Sequence, residues 1–196
     1  MKPILRKKAK TFLVALSLIV TAAMLPANPK SAKTTPFSGK PATIPGLIEA
    51  EHWDKGEAGV AYADADEKNL GENYRELTQV DIEKRSDASN GHGVGWTRAD
   101  EWLIYTVEVT EAGTYSISMP VASKGPGGIF RIEMNGNDVT GKITVPDTKS
   151  WQKLETITHK NVVLNKGTFQ MKVIMIEAGK SKSIGDIDFF KFVKTK

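Results

Sequence analysis

Two glutamates separated by one residue, Glu49 and Glu51, are the feature of this chain that most directly suggests chemistry; they lie in the segment 48–53, IEAEHW. Side chains alternate across a β-strand, so this spacing predicts two carboxylates on one face, roughly 6–7 Å apart, with Ile48 and Ala50 pointing into a core. Neighbouring carboxylates repel each other unless a cation lies between them, and Ca²⁺ prefers oxygen ligands. The segment therefore indicates either a calcium site or a pair of acidic side chains exposed to solvent.

A second group of oxygen ligands follows in the pattern Asp64-x-Asp66-x-x-Asn69. It resembles the start of a calcium-binding loop, but the twelfth position from Asp64 is Arg75, where an EF-hand requires a glutamate. The pattern therefore predicts either a contact to a cation or a sugar, or a solvated turn.

Glycoside hydrolysis is a further use to which acidic residues can be put. The predicted separation of Glu49 and Glu51 falls between the ranges of retaining and inverting enzymes. Side chains on one strand face point in parallel, however, whereas hydrolysis requires carboxylates that flank the scissile bond. The histidines are scattered and no Gly-x-Ser-x-Gly motif is present. A small glycan-active hydrolase using Asp64, Asp66, Glu49 or Asp186 stays open as the enzyme alternative.

The four tryptophans are the other informative residues. Trp53, Trp96 and Trp102 are predicted to lie in the core or at its edge. Trp151 lies in the turn-rich segment 145–152, VPDTKSWQ, where strand alternation does not bury a large ring. An exposed indole on a rigid loop stacks well on the apolar face of a pyranose, so Trp151 is predicted to bind sugar.

Alternation with period two dominates the rest of the chain. In 102–109 it places Leu103, Tyr105, Val107 and Val109 on one face. Segment 129–134 runs into Asn135-Gly136, a dipeptide typical of a hairpin turn. Further predicted strands cover 80–83, 114–119, 153–158, 169–176 and 187–193, and no segment has a sustained helical period. The pattern predicts an all-β fold in which two sheets pack as a sandwich.

The first 44 residues differ in composition from the rest. Residues 1–27 join a cationic start to a 15-residue apolar run at 11–25, which predicts a signal peptide because a bilayer span needs about 20 residues. Residues 28–44 are rich in Pro, Ser, Thr and Lys and predict a flexible linker. The folded domain is then 45–196. Since the chain has no cysteine, a secreted domain needs a substantial core or a metal.

The charge distribution argues against a nucleic-acid partner. Of the 27 basic residues, five lie in 1–27, which leaves 22 against 23 acidic residues and a net charge of −1 for the remainder. A near-neutral body is not a phosphate-binding surface. We expect a secreted, periplasmic or cell-surface protein with no stable membrane insertion once the signal is removed.

Taken together, the motifs resemble the family 6 carbohydrate-binding modules, which are secreted β-jelly-roll domains of two antiparallel sheets, usually attached to polysaccharide-degrading enzymes. The resemblance covers nearly all of 47–193 in the family's order. The matching stretches are 48–62 (IEAEHWDKGEAGVAY), 73–75 (NYR), 80–87 (VDIEKRSD), 91–109 (GHGVGWTRADEWLIYTVEV), 112–115 (AGTY), 130–148 (FRIEMNGNDVTGKITVPDT), 150–152 (SWQ) and 185–192 (GDIDFFKF).

The resemblance implies a structural calcium. The family's metal-binding strand falls on Glu49 and Glu51, its C-terminal ligand falls on Asp188, and a main-chain carbonyl near Arg75 is a further implied ligand. Bound calcium would join the first and last strands of the domain.

The resemblance also implies a sugar cleft in the loops at one end of the sandwich, formed by two aromatic rings and a polar base. Trp151 matches one ring, and Asp186 falls where the family usually has Asn. His92 is assigned to the second ring, in a stretch that commonly reads Gly-Tyr-Asn-Val-Gly-Trp in the family.

The expected function is non-catalytic binding of a plant or algal polysaccharide, such as a β-glucan, xylan or agarose-type glycan, alongside secreted glycoside hydrolases. Besides the hydrolase, a structural surface domain that mediates protein contacts is a second alternative.

Overall fold

A computed structural model describes residues 33–72 and 74–196. The strands are β1 (Ala42–Ile44), β2 (Gly46–Glu49), β3 (Tyr62–Ala63), β4 (Ile82–Lys84), β5 (His92–Val94), β6 (Trp102–Val109), β7 (Gly113–Ala122), β8 (Ile129–Met134), β9 (Asn137–Asp138), β10 (Ile143–Thr144), β11 (Glu155–Leu164), β12 (Gly167–Glu177), β13 (Asp186–Ile187) and β14 (Phe189–Lys194). A single-turn 3-10 helix spans Ala50–His52. The predicted signal peptide, 1–27, and linker residues 28–32 lie outside the described residues.

The strands form two sheets. The first has the order β1-β6-β12-β8-β10, with β3 also paired to β6 and β9 to β8. The second has the order β2-β14-β7-β13-β5-β4, and β11 pairs with the other edge of β7. Neighbouring strands run antiparallel, apart from β1, which runs parallel to β6. The prediction of an all-β sandwich is confirmed.

Strand alternation builds the core between the sheets. Leu103, Tyr105, Val107 and Val109 on β6 are all buried, as their spacing predicts. The Asn135-Gly136 turn joins β8 to β9 with positive φ at both residues, as a tight hairpin turn requires. The inner faces of the two sheets together bury one continuous apolar cluster.

The prediction of a strand over 48–53 is wrong beyond Glu49. At Ala50 the chain leaves β2 and enters the 3-10 helix, because the Ala50 N–H donates to the Asp188 carbonyl and the Tyr105 hydroxyl donates to the Ala50 carbonyl. Glu49 and Glu51 therefore do not project from one strand face. Tertiary contacts to β6 and to Asp188, between β13 and β14, override the local alternation.

The prediction of a flexible linker over 28–44 is also wrong at its C-terminal end. Residues 42–44 form β1, and Thr35 pairs with Lys55 through two backbone hydrogen bonds. The Phe37 ring stacks on His52 with centroids 4.0 Å apart. A composition rich in Pro, Ser and Thr predicts weak local structure. It does not report whether a distant sheet edge pairs with the segment.

Among the residues described, no helix is long and apolar enough to cross a membrane.

Candidate functional site

A cleft of about 270 Å³ opens among the loops that join the strands. Two tryptophans, Trp96 and Trp151, contribute its large apolar surfaces, and Asp186 and Glu83 contribute carboxylates. The lining residues are Glu83, Trp96, Trp151, Gln152, Ser181, Ser183 and Asp186. Apolar rings with a few convergent polar groups are typical of a small-ligand site.

Trp96 occupies its place because of the backbone directly after β5. Its φ of 48° lies in the left-handed region, which turns the chain sharply where the strand has ended. The next residue anchors the turn, since the buried Thr97 hydroxyl donates to the Gly185 carbonyl at 2.7 Å. The Ile184 N–H donates to the Thr97 carbonyl at 2.9 Å. These bonds tie the Trp96 loop to the segment that leads into β13.

Trp151 lies on the loop between β10 and β11, which hydrogen bonds to the segment just after β7 hold in shape. The Thr148 hydroxyl is buried, where it accepts from the Ser123 N–H and lies within hydrogen-bond distance of the Ser123 and Ser150 carbonyls. The Asp147 carboxylate accepts from the Gly125 N–H at 2.8 Å. As predicted from its turn-rich surroundings, the Trp151 ring is only half-buried.

The base of the cleft is a buried ion network centred on Arg85, just after β4. One guanidinium nitrogen, Nη1, donates to Glu83 at 2.6 Å and to Asp186 at 2.9 Å. Nε and Nη2 form a paired contact to Asp87 at 3.0 and 3.1 Å. Burial, reinforced by the Glu83 charge, raises the pKa of Asp186 to about 8 despite the contact to Arg85.

The structure does not bring His92 to this cleft. The second aromatic ring that lines it, besides Trp151, is that of Trp96. His92 begins β5, and its ring stacks on Tyr74 with centroids 4.4 Å apart. His92 is the first residue of β5 and does not line the cleft, whereas Trp96 follows the end of that strand and does. Trp96 was predicted to lie in the core or at its edge, but it is 44% exposed and lines the cleft, whereas Trp53 is fully buried as predicted.

Three carboxylates gather beside the 3-10 helix, those of Glu49, Glu51 and Asp188. The Ser89 hydroxyl lies 2.6 Å from Glu49 Oε2 and 3.1 Å from Asp188 Oδ1. Asn90 Nδ2 donates to Glu51 Oε1 at 2.9 Å. Although Glu49 and Glu51 do not share a strand face, the fold brings both close enough to Asp188 for the three charges to interact. We call these three residues the acidic edge.

Glu51 is the residue of the acidic edge most affected by burial. It is 0% exposed, and its Oε2 atom has no hydrogen-bond partner among the described residues. Burial raises its pKa to about 7, and the charges of Glu49 and Asp188 add to that effect. A hard cation satisfies such an orphaned oxygen and neutralises its neighbours, so the donor set fits calcium.

Arg75 differs from its implied role at the calcium. Its carbonyl accepts from the N–H and the hydroxyl of Thr78, both at 2.9 Å, so both of its lone pairs are used within its own turn. Its guanidinium lies 3.7 Å from the Trp53 ring centroid and donates to the carbonyls of Glu51, Trp53 and Asp54. Arg75 thus supports the backbone that carries Glu51.

The second acidic pattern forms a separate cluster in which Asp81 replaces Asn69. Carboxylate oxygens of Asp64, Asp66 and Asp81 lie within 4.8 Å of one another. Arg98 pairs with Asp66 at 2.9 Å, while the Asn69 side chain accepts a backbone N–H two residues further on. Among the described residues, no other group of three or more Asp, Glu or His side chains has its possible ligand atoms this close together.

Comparison with known proteins decides the family. Residues 71–194 match the sequence profile of the carbohydrate binding module (family 6). The chain belongs to this family. Its members bind carbohydrate and are typically non-catalytic. A curated relative, the clotting factor G alpha subunit of Tachypleus tridentatus, is 32% identical over 109 residues. That match covers 55% of this module's chain and 16% of the subunit's length.

Solved family 6 modules share the fold. The C-terminal module of LamC, a marine laminarinase from Zobellia galactanivorans, is 26% identical with a TM-score of 0.58, over 76% of this chain and 98% of that one. A module of Cellvibrio mixtus lichenase 5A, solved in complex with cellotriose, is 25% identical with the same TM-score, over 78% of this chain and 98% of that one.

Proposed function

We propose that this chain is a secreted, non-catalytic module that binds a neutral β-glucan-type polysaccharide in the cleft between Trp96 and Trp151. The observation that carries the proposal is that two tryptophans from loops more than 50 residues apart in sequence line one cleft with a polar base. Indole faces cover the apolar faces of a pyranose ring, and polar groups at the base bind its hydroxyls. The cellotriose bound by the lichenase module and the laminarinase that carries the other relative support this class of ligand.

Affinity electrophoresis in gels that contain laminarin, a mixed-linkage β-glucan, xylan or agarose tests this function, with isothermal titration calorimetry for any glycan that retards the protein. Binding in an open cleft should be weak, with dissociation constants in the range of about micromolar to millimolar. Trp151→Ala should remove the retardation. Retardation by no glycan would contradict the proposal, and reducing-sugar release that depends on a carboxylate would favour the hydrolase instead.

We propose in addition that the acidic edge holds a structural calcium ion bound by Glu49, Glu51 and Asp188. The orphaned Glu51 oxygen supports this, as do the charges of Glu49 and Asp188, which help to raise the pKa of Glu51. Bound calcium would neutralise like charges and join the 3-10 helix to the segment between β13 and β14. Because the chain has no disulfide, such a link would contribute to stability.

Thermal unfolding before and after EDTA treatment tests the calcium. A ligand present at 100 times its dissociation constant stabilises the fold by about 2.7 kcal/mol. For a domain of this size that corresponds to about 5–10 °C in the melting temperature. Glu51→Gln should reduce the response to EDTA, whereas Trp151→Ala should keep it. An unchanged melting curve, from protein shown by elemental analysis to contain calcium beforehand, would refute the site.

A further inference from the structure

The charged side chains that line the cleft are carboxylates. Glu83 and Asp186 are its ionisable lining residues, and their side chains are 23% and 6% exposed. The remaining lining residues are two tryptophans, a glutamine and two serines. A ligand that enters therefore meets negative charge and neutral hydrogen-bonding groups.

The cation nearest these carboxylates is not available to a ligand. The Arg85 side chain is 2% exposed and lies behind Glu83 and Asp186. A guanidinium has five N–H donors, and four hydrogen bonds from Arg85 are already directed to Glu83, Asp186 and Asp87. A ligand carboxylate would have to compete for the buried guanidinium with Glu83, Asp87 and the nearly buried Asp186, and displacing Asp186 would leave that carboxylate without its partner.

The charge of this network is negative. One guanidinium (+1) and three carboxylates (−3) sum to −2, and a proton bound by one carboxylate would still leave −1. The lysines on either side of Trp151, Lys149 and Lys153, pair with Asp147 and Glu155, each two residues away in sequence. Lys182 is exposed between Ser181 and Ser183 but does not line the cleft.

We propose that the cleft selects its ligand by charge: it binds neutral pyranosides, binds amino-substituted pyranosides more tightly, and excludes uronates and sulfated sugars. This rests on the proposed function of the cleft as a sugar site. A sugar ammonium gains a charge-assisted hydrogen bond to Glu83 and lies beside the electron-rich faces of two indoles. A sugar carboxylate or sulfate meets the like charge of Glu83, and the buried Arg85 is already paired with three carboxylates.

Tetrasaccharides that differ at one substituent test the inference. A β-1,3-linked and a β-1,4-linked glucose tetrasaccharide are each compared in three forms: unmodified, with amino groups at C6 and with carboxylates at C6. Titration calorimetry at low ionic strength should find the amino form at least about tenfold tighter and the carboxylate at least about tenfold weaker than the unmodified form. Both differences should shrink in high salt because exposed charges are then screened.

Two variants locate the effect. Glu83→Gln removes the exposed cleft carboxylate and should bring the three affinities to within about threefold of one another. Asp87→Asn is the matched control, since it makes the same change in net charge and also contacts Arg85 but does not line the cleft. It should keep the full selectivity.

The outcomes separate the two proposals. If no tetrasaccharide of either linkage binds in any form, the sugar-binding function itself fails. If the three forms bind equally while Trp151→Ala abolishes their binding, the function stands and the charge selection is wrong. Tighter binding of the carboxylate form would overturn the inference and point to Lys182 as the cation that binds it. Equal effects of Glu83→Gln and Asp87→Asn would also overturn the inference.

Discussion

Replacing Trp96 by alanine is the most direct test of the cleft. Trp96 is 44% exposed, which is about 110 Å² of the roughly 250 Å² of a tryptophan side chain. A sugar ring stacked on one face covers about half of that, and about 25 cal/mol per Å² gives about 1.4 kcal/mol. Aromatic packing contributes a further 0.5–1.5 kcal/mol or so. The sum is about 1.9–2.9 kcal/mol, so we expect Trp96→Ala to weaken glycan binding by about 25- to 130-fold.

The assay is titration calorimetry with the best glycan from the electrophoretic panel. Trp96→Phe keeps an aromatic face in the same left-handed backbone position, so it should lose less than about tenfold and separates stacking from backbone strain. His92→Ala should change binding by less than about threefold, since His92 stacks on Tyr74 away from the cleft. Loss of binding in His92→Ala together with normal binding in Trp96→Ala would refute the assignment of the second ring.

Three further predictions concern stability. Arg85→Met leaves three carboxylates without their counterion and should cost about 3–5 kcal/mol in thermal or urea unfolding; an unchanged midpoint would contradict the buried network. Burial raises the pKa of Glu101 from 4.5 to about 7, so its contribution to stability is complete below pH 4.5, falls by about 3 kcal/mol as pH rises to 7 and is flat above. In urea unfolding, Glu101→Gln should therefore lose less stability than wild type between pH 5 and 8, and parallel pH profiles would refute this. Phe37→Ala removes a ring that contacts His52 and Arg75 and should cost about 1–2 kcal/mol, whereas a loose linker would show no change.

Strand alternation identified most of the sheet, and its failures have local causes. The buried face of β6 and the β8–β9 hairpin follow from period two and from turn chemistry, both of which are properties of neighbouring residues. The 3-10 helix at 50–52 depends on hydrogen bonds to Tyr105 and to the Asp188 carbonyl, which are far along the chain. The three residues of β1 are too few to show a period.

The cleft was predicted in part for similar reasons. Trp151 could be found because its turn-rich segment is visible in the sequence, and Asp186 was placed through the family pattern. The exposure of Trp96 could not be predicted from the sequence because it depends on a left-handed backbone just after a strand. The glycines at 91, 93 and 95 directly before it were the available signal. Arg85 contacts Asp186 across 101 residues, and no local pattern reports such a contact.

The parallel strand β1 has a consequence for how the domain can be cut. It covers β6 from Val107 to Val109, the Thr110 N–H donates to the Ile44 carbonyl, and Ile44 itself is fully buried. A truncated protein that starts at Pro45 would leave these β6 backbone groups unpaired beside an open apolar gap. Exposed edges of that kind recruit strands from other molecules. The autonomous folding unit therefore begins before residue 42, and a shorter one should self-associate.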